Sequence, residues 1–297
     1  MNALIALDWG TTSLRAALLD AQGRVAEERS APRGILGVPA GGFPAVFEEI
    51  TAGWPRGAGT LALVSGMAGS RQGWLEAPYC PCPAGFAQVA SRLAWIEPGR
   101  IAIVPGMSCE SDGVPDVMRG EETQVFGAMA AMGVQGGTFV LPGTHSKWVR
   151  VSQGRIEHFQ TFMTGEFYAL LRQHSILSRT LPDADGEPDA PAFERGVRHA
   201  LSQGSLLHTA FSVRALALFE RMPPAQMPSY LSGLVIGEEL RTQHRPGGTE
   251  PVCLIGSEPL VKRYRGALGI LGIPTRAAPP DSTWRGLWAI ASTWQPS

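Results

Sequence analysis

Residues 8–13 read Asp8-Trp9-Gly10-Thr11-Thr12-Ser13, and residues 142–147 read Pro142-Gly143-Thr144-His145-Ser146-Lys147, each between two short apolar runs. The chemistry open to such turns is anion binding. Glycine lets backbone approach closely, successive N–H groups converge on an oxyanion, and Thr and Ser hydroxyls add donors. Asp8 would bind no phosphate itself, but an acid at a strand end can hold Mg²⁺, directly or through water. Arg15 is a further cation within reach of the first turn. Gly143, Thr144 and His145 repeat the donors in the second turn, which has Pro142 and no acid in front of its glycine. Lys147 adds charge there in one register and points to solvent in the next. One copy alone reads equally well as a plain hairpin with a polar tip. Two copies suit a nucleoside triphosphate, with each turn gripping a different part of the phosphate chain.

The elements that must position these turns also repeat. Gly10 and Gly143, Thr11 and Thr144, and Ser13 and Ser146 all fall at one offset of 133 residues, and each copy runs on to Gln-Gly-Arg, at 22–24 and 153–155. Apolar runs predict strands at 3–7, 14–19 and 24–30, a helix at 43–53, buried strands at 60–66 and 101–104, and a helix over 121–132. The order then restarts, with strands at 138–141, 147–151 and 156–162. Helices follow at 165–173, 191–203, 205–221 and 227–243, then a strand at 252–255 and helices at 258–271 and 283–293. The stretch 181–191 reads as a surface loop. The boundary between the halves is expected around 132–137, giving domains 1–134 and 135–297, with the last helix free to pack back on the first.

A chain of 297 residues has room for two cores, and its 44% hydrophobic and 17% charged composition is that of a soluble globular protein. With a net charge of −1 and no Lys/Arg block, no nucleic-acid footprint is indicated. No apolar run reaches the roughly 18–20 residues of a membrane span, and the N-terminus starts as a strand rather than a signal peptide. Four cysteines favour a reducing compartment, the cytoplasm. Cys80-Pro81-Cys82 has no second ligand pair nearby and reads as loop thiols. Among the His residues only His145 sits in a motif, so zinc is not expected. Neither a P-loop nor a dinucleotide fingerprint after the first strand occurs.

Late in the chain, Gly233 and Gly237 share one helix face, where either a neighbouring helix or a flat ring could approach. Gly256-Ser257 closes a strand before a helix, as an ordinary βα turn or as part of an adenosine pocket. Asp-x-Gly-Thr-Thr-Ser, the second Gly-Thr turn and this Gly-rich element resemble the actin/hexokinase/Hsp70-type ATPase superfamily. Gly66-Met-Ala-Gly-Ser-Arg-Gln-Gly-Trp74, Arg119-Gly-Glu-Glu-Thr-Gln124, Pro142–Trp148 and Phe162-Met-Thr-Gly-Glu166 are together similar to the 2-dehydro-3-deoxygalactonokinase (2-keto-3-deoxygalactonate kinase) family.

The resemblance implies an α/β fold of two ribonuclease-H-like, actin/hexokinase-type lobes with a nucleotide cleft between them. It also implies phosphoryl transfer from ATP, with Mg²⁺, to a hydroxyl of a six-carbon 2-keto-3-deoxy sugar acid. Alternatives are the gluconate epimer as substrate, or an ATPase without a sugar substrate on the same scaffold. Such transfer asks for positioning, charge neutralisation and a base. In related sugar kinases the base opens the helix that closes the first domain, which here means Glu121 or Glu122. Adjacent helical residues diverge by about 100°, so one of the pair faces the substrate, with Glu121 preferred. Arg71 or Arg119 would clamp the substrate carboxylate. Ser70, Gln72 and Trp74 would serve its hydroxyls and carbon chain, and Thr164 and Glu166 would line the same cleft.

Overall fold

A computed structural model of the chain describes residues 1–57, 59–243 and 250–294, and it divides into two compact units. Unit 1 is Met1–Gly137, Val149–Gln160 and Ala278–Ser297; unit 2 is Thr138–Trp148 and Thr161–Ala277. The chain thus passes between the units four times, at 137/138, 148/149, 160/161 and 277/278, and the first three of these lie inside strands.

In chain order unit 1 opens with β1 (Ala3–Trp9), β2 (Leu14–Leu19), β3 (Val25–Ala31), α1 (Phe43–Ile50), β4 (Thr60–Gly66) and β5 (Cys80–Pro81). It continues with α2 (Phe86–Ala90), β6 (Ala94–Glu97), β7 (Ile101–Ile103), β8 (Met107–Ser111), β9 (Val114–Met118) and α3 (Glu121–Met132). The main sheet has the order β3-β2-β1-β4-β7-β6. β1 and β4 are continuous apolar runs because both faces of the central sheet are covered. β3, at the edge, is charged and exposed, which discourages pairing with another chain. Parallel pairing sets Asp8 opposite Ser65 and Trp9 opposite Gly66, while antiparallel pairing sets Asp8 opposite Arg15. The strand ends that carry the chemistry are therefore neighbours.

The second half supplies β10 (Gly137–Leu141), β11 (Ser146–Ser152), β12 (Arg155–Phe162), α4 (Thr164–His174), α5 (Ala190–Gln203), α6 (Leu206–Thr209) and α7 (Phe211–Leu218). After these come α8 (Met227–Gln243), β13 (Val252–Leu254), α9 (Glu258–Ile270), β14 (Thr275–Ala277) and α10 (Ser282–Thr293). Its sheet has the order β12-β11-β10-β13-β14, which repeats β3-β2-β1-β4-β7 strand for strand. The sequence echo is thus an echo of topology.

Three segments depart from the sequence expectation. Residues 205–221 form two short helices, broken at Ala210, instead of one. β14 is too short to leave a periodic signal. Around residues 80–118 only one strand was expected, yet β5, β8 and β9 make a second, three-stranded sheet. Its hairpin turns on Asp112 (φ 52°) and Gly113 (φ 78°), and Asp-Gly is the strongest short hairpin signal a sequence carries.

Each unit contains one close helix crossing made by glycine. α10 lies on α3, where a Cβ on Gly127 would meet Ser282 O at 1.6 Å and one on Gly286 would meet Thr123 O at 1.8 Å. α8 lies on α5 through Gly196, Gly233 and Gly237. Such backbone contact leaves no room for a methyl group, so these crossings fix where α3 and α8 can sit.

Candidate active site

In unit 1 the first turn closes the β1–β2 hairpin, with Gly10 N–H donating to Ser13 O at 2.9 Å. Thr11, Thr12 and Ser13 are exposed. Ile35 N–H donates to Gly10 O at 3.0 Å and Leu36 N–H to Thr11 O at 3.3 Å. Gly34 lies so flat on the turn that its Cβ would be 2.2 Å from backbone atoms of Thr11 and Thr12. Asp8, at the end of β1, accepts a 2.6 Å hydrogen bond from Arg15 Nη2, and the Arg15 guanidinium lies over the Trp284 ring at 5.4 Å. The acid and the cation read from the sequence are therefore one contact pair.

Beside Asp8, β4 ends at Gly66 with φ 90°, and α3 starts after Gly120 with φ 105°, both in the left-handed region that favours glycine. A Cβ on Gly66 would meet Trp9 O at 2.8 Å and Asp8 Oδ1 at 3.5 Å; one on Gly120 would meet Gly66 Cα at 3.2 Å. Two glycines thus bring the start of α3 against the end of β1. Glu121 is half-buried, with Oε2 accepting from Arg119 N–H at 2.9 Å. Glu122 is completely buried, and its carboxylate turns back on Gly120 N–H at 3.0 and 2.8 Å. Burial, then the Glu121 charge, push the Glu122 carboxyl up to about 8. The two acids therefore differ: Glu122 is buried at the helix start, whereas Glu121 is half-buried beside it.

The two arginines also separate. Arg71 is 88% exposed and pairs with Glu76 at 3.1 Å on the surface, next to an exposed Gln72. Arg119 lies inside: Nη2 donates to Ala77 O at 2.9 Å, the guanidinium stacks on Tyr79 at 4.4 Å, and Gly69 packs against Nη1. Arg119 Nε and Nη1 and Ser70 Oγ are buried with no protein partner. Unpaired buried donors are costly, and an anion would satisfy them. Trp74, expected to stack on the carbon chain, packs with Trp9, Phe43 and Phe47 at centroid distances of 6.1, 6.4 and 5.5 Å. Trp74 is half-buried, so part of its ring stays open beside this cluster.

In unit 2 the second turn joins β10 to β11. Gly165, at the start of α4, packs against it: a Cβ there would meet Gly143 O at 2.6 Å and Thr144 Cα at 2.8 Å. Glu166 N–H donates to Thr144 O at 3.1 Å, and its carboxylate meets His145 Nε2 at 2.5 Å. Glu166 and Thr164 therefore both lie against the second turn. Lys147 is buried, and its ammonium donates to Thr161 Oγ1 at 2.8 Å, so it neither points to solvent nor joins the exposed turn. Gly256 lies beside Pro142, with Ser257 next to it opening α9. A cavity of about 100 Å³ lies next to Gly143, lined by Thr164, Ser232, Ile236, Leu260 and Arg263 among others. Gly233 and Gly237 are turned away from it: their Cβ positions would meet Phe193 O at 2.1 Å and Ala200 Cβ at 2.8 Å, both on α5. Of the two readings the sequence left open for these glycines, the contacts with α5 match helix packing.

A family model described as 2-keto-3-deoxy-galactonokinase matches residues 8–290, which takes in both turns, Arg119 and Glu121. The chain belongs to this family. It is 38% identical over 292 residues to "Probable 2-dehydro-3-deoxygalactonokinase DgoK1" of Rhizobium meliloti (strain 1021), covering 96% of this chain and 95% of the relative. It is 35% identical over 289 residues to "2-dehydro-3-deoxygalactonokinase" of Escherichia coli (strain K12), covering 97% of each. The crystal structure of a "putative 2-dehydro-3-deoxygalactonokinase protein" from Sinorhizobium meliloti superposes with a TM-score of 0.89 at 37% identity, over 98% of this chain and 97% of that one.

In this member of the family, sequence reasoning missed the residue buried behind the second turn. Glu239 lies in α8, four residues after Val235 and three after Ile236, on a stripe that is otherwise apolar. An acid at a core position of a helical pattern was the available signal. All four cysteines are free, and among the described residues no helix is long and apolar enough to cross a membrane.

Proposed function

We propose that the chain transfers the γ-phosphoryl group of ATP to the 6-hydroxyl of 2-dehydro-3-deoxy-D-galactonate, giving the 6-phosphate and ADP in galactonate breakdown. The observation that carries the substrate is the family match over residues 8–290. Unit 1 supplies the acceptor chemistry. Glu121, half-buried at the start of α3, takes the proton of the attacking hydroxyl. Arg119, with Ser70, holds the substrate carboxylate, which the two unpaired guanidinium nitrogens support. Gly10, Thr11, Thr12 and Arg15 of unit 1 are read as a phosphate turn, and so are Gly143, Thr144 and His145 of unit 2. The adenosine lies by the unit 2 cavity lined by Ser232, Ile236, Leu260 and Arg263.

Asp8 fits Mg²⁺. Among the described residues no cluster of three or more His, Cys, Asp or Glu could cage a metal, and Mg²⁺ is ordinarily held by one or two carboxylates together with phosphates and water. Bound there, the ion would neutralise charge on the phosphate oxygens. Four free thiols support a reducing workplace, the cytoplasm.

The test is ADP release with ATP, Mg²⁺ and a panel of sugar acids that includes both 2-keto-3-deoxy epimers. Turnover with the galacto epimer, at a kcat/KM at least about tenfold above its gluco counterpart, is expected. ATP hydrolysis at full rate without any sugar acid would overturn the proposal.

A further inference from the structure

Glu239 is 3% exposed, and its carboxylate gathers donors from three elements. Trp148 Nε1 of β11 donates to Oε1 at 2.6 Å, Tyr264 OH of α9 donates to Oε2 at 2.7 Å, and the Thr164 hydroxyl at the start of α4 donates to Oε2. Tyr264 OH also lies 2.7 Å from Ser146 Oγ. No cation takes part: Lys147 is committed to Thr161, and Arg263 Nη1 reaches Ser232 Oγ. A proton inventory closes for the ionised acid: Trp148, Thr164 and Tyr264 each donate once to it, and Ser146 donates to Tyr264. Burial nevertheless raises the Glu239 pKa, so the charge is kept at a cost to the fold.

The end points of this network give that cost a use. Ser146 directly follows the second turn, while Thr164 precedes Gly165, which packs on Gly143 and Thr144. The turn is therefore held from behind by Ser146 and from the side by the start of α4, and both anchors end on one carboxylate. The geometry points to Glu239 as the positioning residue of the second turn, setting its N–H groups for the phosphates of ATP through Tyr264–Ser146 on one side and Thr164–Gly165 on the other. This rests on the reading of that turn as an ATP site. Nothing on Glu239 itself touches nucleotide.

The experiment compares Glu239→Ala, Glu239→Gln, Tyr264→Phe and Thr144→Ala with wild type, measuring Tm and the KM for ATP and for the sugar acid separately. Glu239→Ala raises the KM for ATP about tenfold or more and leaves that for the sugar acid within about twofold. Tyr264→Phe does the same to a smaller extent. Combining the two gives less than the product of the single effects, because both cut one chain of hydrogen bonds. Glu239→Gln, which can still accept from Trp148 and bond the two hydroxyls, recovers the KM for ATP to within about threefold of wild type. If Glu239→Ala does not fold, Tyr264→Phe decides alone. An unchanged KM for ATP in the Glu239 and Tyr264 variants overturns the inference, whatever happens to Tm. If Thr144→Ala also leaves that KM unchanged, the failure lies in the ATP reading of the turn; if Thr144→Ala raises it, the positioning role alone has failed.

Discussion

The first and second turns share residue types and a place in matching sheets, yet they are supported in different ways. Gly10–Ser13 is braced by backbone: two N–H groups from residues 35 and 36 bond its carbonyls, and Gly34 lies flat on it. Gly143–His145 takes one such backbone bond, from Glu166 N–H to Thr144 O, with Gly165 packed on it, and is otherwise braced by side chains, through Ser146, Tyr264, Glu239 and Thr164 behind it and Glu166 in front. The first has a carboxylate just ahead of it, Asp8, held by Arg15; the second has Pro142 and an acid only at its flank. Residue types at a turn set what it can bind. What surrounds the turn decides whether an acid stands just ahead of it, as Asp8 does, or only at its flank, as Glu166 does.

The largest expected effect breaks that division if it is wrong. Glu121→Gln removes the proposed base, and kcat should fall by about 10²–10⁴-fold with KM for ATP little changed. Glu122→Gln, its neighbour, should keep kcat within a few-fold, because that carboxyl is buried against Gly120 N–H. Steady-state kinetics on the two variants decides it. Equal losses would mean that both act through the start of α3 as structure, and the base would then have to be sought elsewhere.

The glycine under each turn gives a paired test of the supports. Gly34→Ala puts a methyl group 2.2 Å from backbone held by two hydrogen bonds, so the first turn has to move. Gly165→Ala meets backbone at 2.6 Å, and the start of α4 can shift with the side chains that hold it. Overpacking of this kind costs about 1–3 kcal/mol. Both variants should raise the KM for ATP, and Gly34→Ala should raise it more. The reverse order would mean that the side-chain network is the stiffer support.

The order of elements along the chain was largely legible, since the repeated turn and apolar runs marked the opening strands of both halves, but the order of strands within each sheet was not. The sequence also placed Asp8, Gly10, Gly143 and Glu121 at strand or helix ends. Partners were harder to read. Whether Trp74 stacks on a ligand or on Phe43, whether Gly233 faces a ring or α5, and whether Arg71 or Arg119 is buried all depend on contacts distant in sequence. Helical phase says which residues share a face but not what that face meets. The β8–β9 hairpin was legible in Asp112-Gly113, but its strands alternate weakly and are short. Glu239 was legible only as a violation of its own pattern, which is where functional groups tend to lie.

The smallest expected effect compares the buried acids of the two units. Glu239 has three side-chain donors, whereas Glu122 is met by backbone N–H groups, its own and that of Gly120. Glu122 is the more poorly satisfied anion, and its carboxyl stands at about 8 in the fold against an ordinary value of 4.5. Between those values the folded chain holds a proton that the unfolded chain has lost, so its stability falls as pH rises through the window and levels off outside it. The limiting slope is about 1.4 kcal/mol per pH unit. Urea midpoints at pH 5.5 and 7.5 should therefore fall further in wild type than in Glu122→Gln, by roughly 2 kcal/mol of stability. Glu239→Gln should flatten the profile less, since three donors favour its ionised form. Parallel profiles for wild type and Glu122→Gln would mean that Glu122 is already ionised, and that its hydrogen bond to Gly120 outweighs its burial.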